Sequence, residues 1–208
     1  MQKVLLECIR KGNILKLQRI RFICVDVGIP NINHSATDRI STLTWDPRET
    51  APHRPLLQDA EEIDGPTMML ADNERYCAFA RFCDARGRIW NLVEKAESEE
   101  ERELVRREAG HCPSGRLVVW DKDTEKVFEP PFKPSIGIIE DPGIKVSGPI
   151  WVKGGIRIEG ADGKSYEVRN RVTLCRCGQS SNKPFCDGTH ASMHFCDGIP
   201  LEKGKGEW

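Results

Sequence analysis

The spacing of apolar positions changes character several times along the chain. Over residues 1–27, Leu and Ile recur at helix-like intervals, with Lys or Arg breaking every apolar run. From Gly28 to Pro66 the sequence is dense in turn formers and carries little periodicity, so an extended, partly irregular arm is expected. "TMMLADNERYCAFARFCD" then predicts a strand, a turn and a short loop bearing Cys77 and Cys83. "SEEERELVRREAG" predicts a helix: Ser98 can cap it, with Glu101 three residues on completing a capping box. Acidic residues fill its first turns and Arg106 and Arg107 its last, as the helix dipole favours. Gly110 is placed to end it, and "HCPSGRLVVW" follows as a cysteine-bearing turn and a strand.

"EPPFKPS" at 129–135 reads as an extended, Pro-rich linker. Beyond it, short apolar segments alternate in "IRIEG" and "YEVRNRVTL", punctuated by Pro-Gly, Gly-Pro, Gly-Gly and Asp-Gly turns. A small β domain is expected, its last strand running into "CRCGQSSNKPFCDGTH". The fold expectation is α+β, mainly β with few helices. It divides into an N-terminal extension (1–66), a first compact unit (67–128), the linker, and a β-rich unit (136–208).

Composition changes this picture in one respect. Of the 208 residues, 38% are hydrophobic and 30% charged, ordinary for a soluble chain, and the net charge of −1 offers no basic footprint for nucleic acid. No run approaches the roughly 18 apolar residues of a membrane helix. The opening segment lacks the small-residue cleavage site of a secretory leader, so a cytoplasmic location is expected. The nine cysteines are the exception: the number is high and odd. In that setting cysteines are read as metal ligands or free thiols rather than a disulfide framework. His34 and His53 fall in the arm and read as solvated loop histidines.

Near the C-terminus, Cys175, Cys177 and Cys186 are followed by His190, four residues after the last cysteine. Three sulfurs and an imidazole make a complete set for a soft or borderline metal. A Cys3His zinc site is one reading, though zinc sites use wider gaps than Cys-x-Cys. Two thiolates on one iron of a binuclear cluster is the other. A short helix beginning at "DGTH" would aim backbone amides at an anionic cluster, with Gly188 allowing close approach.

These residues carry a resemblance. Cys175-x-Cys177, Ser180, Pro184 and Cys186-Asp187-Gly188-Thr189-His190 reproduce the CDGSH signature, with Thr189 in its Ser/Thr position. The segment resembles the mitoNEET-type family, which implies a [2Fe–2S] cluster. By that resemblance Cys175 and Cys177 hold the inner iron, and Cys186 and His190 the solvent-facing one. A second copy, "FCDGIP" at 195–200, has Pro200 at the histidine position and no Cys-x-Cys of its own. It reads as an echo with a free or packed thiol at Cys196.

Cys77, Cys83 and Cys112 form a second constellation, the last within Cys-Pro-Ser-Gly at 112–115. A cysteine followed by proline closes many ferredoxin motifs. The half resembles a divergent ferredoxin-like mono-cluster domain, except that Phe79 stands where that family often has histidine. The resemblance implies a second iron–sulfur cluster on Cys77, Cys83 and Cys112. Three cysteines suit [3Fe–4S]; [4Fe–4S] with water or a histidine such as His111, or a further [2Fe–2S], also fits. Cys8 and Cys24 match neither motif.

No nucleophile–base pair, phosphate loop or dinucleotide fingerprint is visible. The expectation is a non-enzymatic electron carrier relaying single electrons between partner proteins, with no nucleic-acid or membrane partner. Service as the electron-transfer subunit of an oxidoreductase is compatible with it. From a different class, cluster storage and delivery to apo-acceptor proteins, or redox and pH sensing, would use the exposed histidine ligand. A colourless zinc-bound adaptor is a third reading.

Overall fold

Residues 40–45, 60–160 and 163–198 are described by the computed structural model; expectations for Cys8, Cys24, His34, His53 and Pro200 lie outside them. Three antiparallel sheets and a few short helices make up these residues, the mainly β arrangement that the periodicity predicts.

The first unit is built on strands β2 (Glu61–Asp64), β3 (Met68–Asp72), β4 (Leu117–Asp121) and β5 (Val127–Phe128), in that order across the sheet. Leu70 lies opposite Val119 on the central pair. Helices α1 (Ile89–Val93) and α2 (Glu99–His111) supply apolar side chains to one core, where Met68, Leu70, Val93, Val105, Leu117 and Val119 are buried. The capping box at Ser98 forms: its hydroxyl accepts from the Glu101 amide at 3.3 Å and its own amide donates to the Glu101 carboxylate at 2.9 Å. Such a cap is worth about 1 kcal/mol. The helix runs past Gly110 to His111, and Cys112 is the residue that leaves it in extended conformation. Helix α1 was not expected, because five residues of "IWNLV" are too few to show a period.

The second unit has a sheet of β6 (Ser135–Asp141), β7 (Val146–Lys153) and β9 (Arg171–Leu174), in that order, and a ribbon in which β8 (Ile156–Gly160) pairs with β1 (Ile40–Trp45). The arm is therefore regular at "ISTLTW", where Leu43 enters the second core beside Ile156, Ile158, Val172 and Phe185.

The two units are joined along a dense seam. Tyr76 of the first sits edge-on to Phe185 of the second, ring centroids 4.7 Å apart. Arg171 on β9 is 1% exposed and reaches across to donate to the carbonyls of Ala109 (2.7 Å), Cys112 (2.6 Å) and Leu117 (3.3 Å). The first two belong to the last turn and exit of α2, where a helix end leaves carbonyls without intrahelical donors, and the third opens β4. Trp151 adds a bond from its indole N–H to the Pro113 carbonyl at 2.8 Å. Gly115 has φ +64, and a Cβ there would stand 2.5 Å from the Arg171 carbonyl oxygen, so glycine alone permits the approach. The segment 129–135 packs against this seam: Glu129 pairs with Arg171, and Phe132 stacks edge-on to Trp151.

Candidate metal centre

Strand β9 ends at Leu174 and delivers Cys175 directly. A return segment closes the loop beside it: Cys175 N–H donates to the Pro184 carbonyl at 2.9 Å and Cys186 N–H to Thr173 at 3.0 Å. The Ser180 hydroxyl donates to the Phe185 carbonyl at 2.7 Å, and Lys183 Nζ donates to the carbonyls of Gly178 and Ser180 at 2.8 Å. The loop thus satisfies its own backbone. Gly188 turns the chain in the left-handed region (φ +83) into the short helix α3 (Thr189–Ser192), which presents His190. Asp187 fixes that turn by accepting from the Thr189 amide (3.1 Å) and from the Ser181 amide and hydroxyl (both 2.8 Å). Burial pushes its carboxyl pKa up, but these bonds prevail and hold it at about 2.

The four candidate ligands fall into two pairs. Cys175 Sγ and Cys177 Sγ are 3.9 Å apart, and Cys186 Sγ and His190 Nδ1 are 3.3 Å apart. Tetrahedral ligands at metal–sulfur bonds of about 2.3 Å and metal–nitrogen bonds of about 2.0 Å stand roughly 3.5–3.8 Å from one another. Each pair therefore brackets room for one metal. Among the described residues, no three His, Cys, Asp or Glu side chains converge on a point that would hold a single ion. Two plus two donors are compatible with a binuclear centre. Backbone amides of Gln179 and Gly188 point at the sulfurs of Cys177 (3.4 Å) and Cys186 (3.5 Å), as suits anionic thiolates.

The Cys175 thiol is pulled down to about 6, chiefly because Cys177 donates to it, and the Cys177 pKa rises for the same reason. Burial pushes Cys186 up to about 12. Burial also lowers the His190 pKa, with Arg176 acting the same way and Asp141 and Asp187 opposing, so the imidazole is held neutral as a ligand must be.

The second constellation is looser. Cys83 and Cys112 border the same apolar core, and the Cys83 pKa is raised first by burial and then by the Cys112 charge. Cys112 Sγ lies 3.4 Å from Ser114 Oγ. Cys77 leaves a 3₁₀ turn on the seam; it helps to raise the Arg116 pKa, and its charge acts on Cys186 after burial and the charges of Cys175 and Asp187. Arg116, paired with Asp72, acts on Cys83 as well. Its cation is placed to offset thiolates at both cysteines. His111 packs edge-on to Phe82 with centroids 6.4 Å apart. Phe79, which stands where the resembled family often has histidine, is 68% exposed, and its side chain meets the turn at Gly188.

Three residues at these sites escaped the sequence reading. Glu108, one helical turn before Cys112, is 2% exposed; one oxygen accepts from the Arg86 amide at 3.0 Å and the other has no partner among the described residues. Arg171 braces the carbonyl of Cys112. Arg176, between two candidate ligands, is buried against Glu140 and Asp197. Only the i, i+4 spacing of Glu108 and Cys112 was a usable signal.

Residues 147–191 match the family described as iron-binding zinc finger, CDGSH type, and residues 63–122 match the family described as divergent 4Fe-4S mono-cluster. No curated protein and no solved structure gives a significant match. The first match spans all four residues of the paired site, and the second spans Cys77, Cys83 and Cys112. The chain is thus an iron–sulfur protein that carries a divergent mono-cluster domain followed by a CDGSH-type iron-binding domain.

Proposed function

We propose that the protein is a one-electron carrier, with a [2Fe–2S] cluster on Cys175, Cys177, Cys186 and His190 and a second cluster on Cys77, Cys83 and Cys112. When bound, such clusters accept and release single electrons. The observation that supports a relay is the seam: the Phe79 side chain, between Cys77 and Cys83, rests on Gly188, between Cys186 and His190. The segments that carry the ligands of the two sites thus touch. The chain's own residues keep the first site anionic-tolerant through amide donors, hold His190 neutral, and place Arg116 beside the second.

Changing Cys77, Cys83 or Cys112 to Ser is expected to remove one EPR species from the reduced protein and leave the other. Electron uptake from a reduced acidic ferredoxin, followed by stopped-flow absorbance, tests the carrier role. Transfer faster than cluster loss is expected. If Cys112→Ser leaves every cluster signal unchanged, the second assignment is wrong.

A second reading, delivery of the cluster to apo-acceptors, has one observation in its favour: His190 is partly exposed on a four-residue helix. Mixing holo protein with an apo-ferredoxin separates the two. Movement of the visible spectrum to the acceptor favours delivery; its retention favours the carrier.

A further inference from the structure

The second "FCDG" segment lies outside the matched family residues and lacks ligands of its own, yet it is not idle. After α3 the chain reverses at His194, whose φ is +50, and the Phe195 amide donates back to the His190 carbonyl at 3.0 Å. The Phe195 carbonyl accepts from the Ser147 amide at 2.8 Å, tying the segment to β7. Asp197 Oδ1 accepts from the Ser147 hydroxyl at 3.1 Å, and Asp197 Oδ2 pairs with Arg176 Nη2. Arg176 Nη1 donates to Glu140 Oε1 at 2.7 Å and to the Gly148 carbonyl at 3.3 Å. Both side chains of the Arg176–Asp197 pair are only 9% exposed.

Arg176 stands between Cys175 and Cys177, whereas Asp197 follows Cys186 and His190. The ion pair therefore closes a loop that contains Cys177, Cys186 and His190. The two metal-bracketing pairs belong to different turns of that loop, and a binuclear cluster is retained only while their separation is kept.

We propose that the second Cys-Asp-Gly segment is a clasp, in which the positioning residue Asp197 acts through Arg176 to hold the Cys175/Cys177 pair against the Cys186/His190 pair. The inference rests on the cluster assignment made above. It also has an electrostatic consequence. Asp197 and Arg176 carry opposite charges beside one centre, and cluster potential follows local net charge. Loosening alone would move both variants the same way; a charged clasp moves them oppositely.

The test uses full-length holo protein, folded state checked by circular dichroism, in wild-type form and as Asp197→Asn, Arg176→Gln, Ser147→Ala and Cys196→Ser. Visible absorbance gives the rate of cluster loss, and a potentiometric titration gives the potential. Asp197→Asn and Arg176→Gln should lose colour on the order of tenfold faster, as expected for a broken buried ion pair. The potential should rise in Asp197→Asn and fall in Arg176→Gln. Ser147→Ala, which removes the hydroxyl's bonds to the Asp197 carboxylate and amide but no charge, should give a smaller acceleration and keeps the test alive if a charge variant fails to fold. Cys196→Ser should match wild type. Wild-type retention and potential in Asp197→Asn overturn the clasp alone. A wild-type protein with no cluster overturns both the clasp and the reading beneath it.

Discussion

Replacing Arg171 with alanine is expected to cost the protein about 3–5 kcal/mol of stability, the range for breaking a buried ion pair by removing one partner. The guanidinium is 1% exposed, and burial lowers its pKa only to about 10, so it is charged at neutral pH. Its loss would leave the Glu129 carboxylate buried without its cation and strip a donor from two carbonyls at the end of α2 and one at the start of β4. Lysine should rescue little, because one ammonium cannot reproduce a planar fork of donors. Chemical denaturation checks the figure. Because β9 carries Arg171 at one end and delivers Cys175 at the other, both cluster signals should weaken in the variant. A loss below about 1 kcal/mol, with both signals intact, would mean that the seam does not depend on this residue.

The second large effect is expected at His190. Imidazole is neutral where thiolate is anionic, so a Cys3His cluster carries less negative charge than an all-Cys one and accepts an electron more readily. His190→Cys should lower the potential by roughly one to a few hundred millivolts, within the span between two-His and all-Cys [2Fe–2S] centres. The sign of the pH effect follows from burial. The folded state already lowers the imidazole pKa, so protonation competes with metal only below the ordinary histidine range. Wild-type cluster should therefore be lost in mildly acidic buffer, and His190→Cys should slow that loss. Equal potentials and equal acid lability in the two proteins would show that His190 is no ligand.

How much was legible in the sequence differs between the two halves. In the C-terminal half the ligands fall within sixteen residues, so spacing alone assembled the set, and the structure pairs them as Cys175 with Cys177 and Cys186 with His190. In the N-terminal half Cys112 is separated from Cys83 by two helices, and only tertiary packing decides how near it comes. The capping box could be read because its bonds are local. Strand β1 could not: its partner β8 lies more than a hundred residues away, and a six-residue alternation inside a turn-rich arm carries little weight. Arg171, Arg176 and Asp197 were invisible for the same reason, since a charged residue declares itself buried only when its distant partners are known. The second "FCDG" is the sharpest case. Judged as a ligand motif it was empty, and its aspartate matters through an arginine twenty-one residues earlier.

The central claim, two iron–sulfur sites in one chain, is tested most directly by iron, zinc and acid-labile sulfide analysis of the protein purified without air. A red-brown protein with iron and sulfide enough for both sites and no stoichiometric zinc is expected. Stoichiometric zinc, no sulfide and no visible absorbance would contradict it.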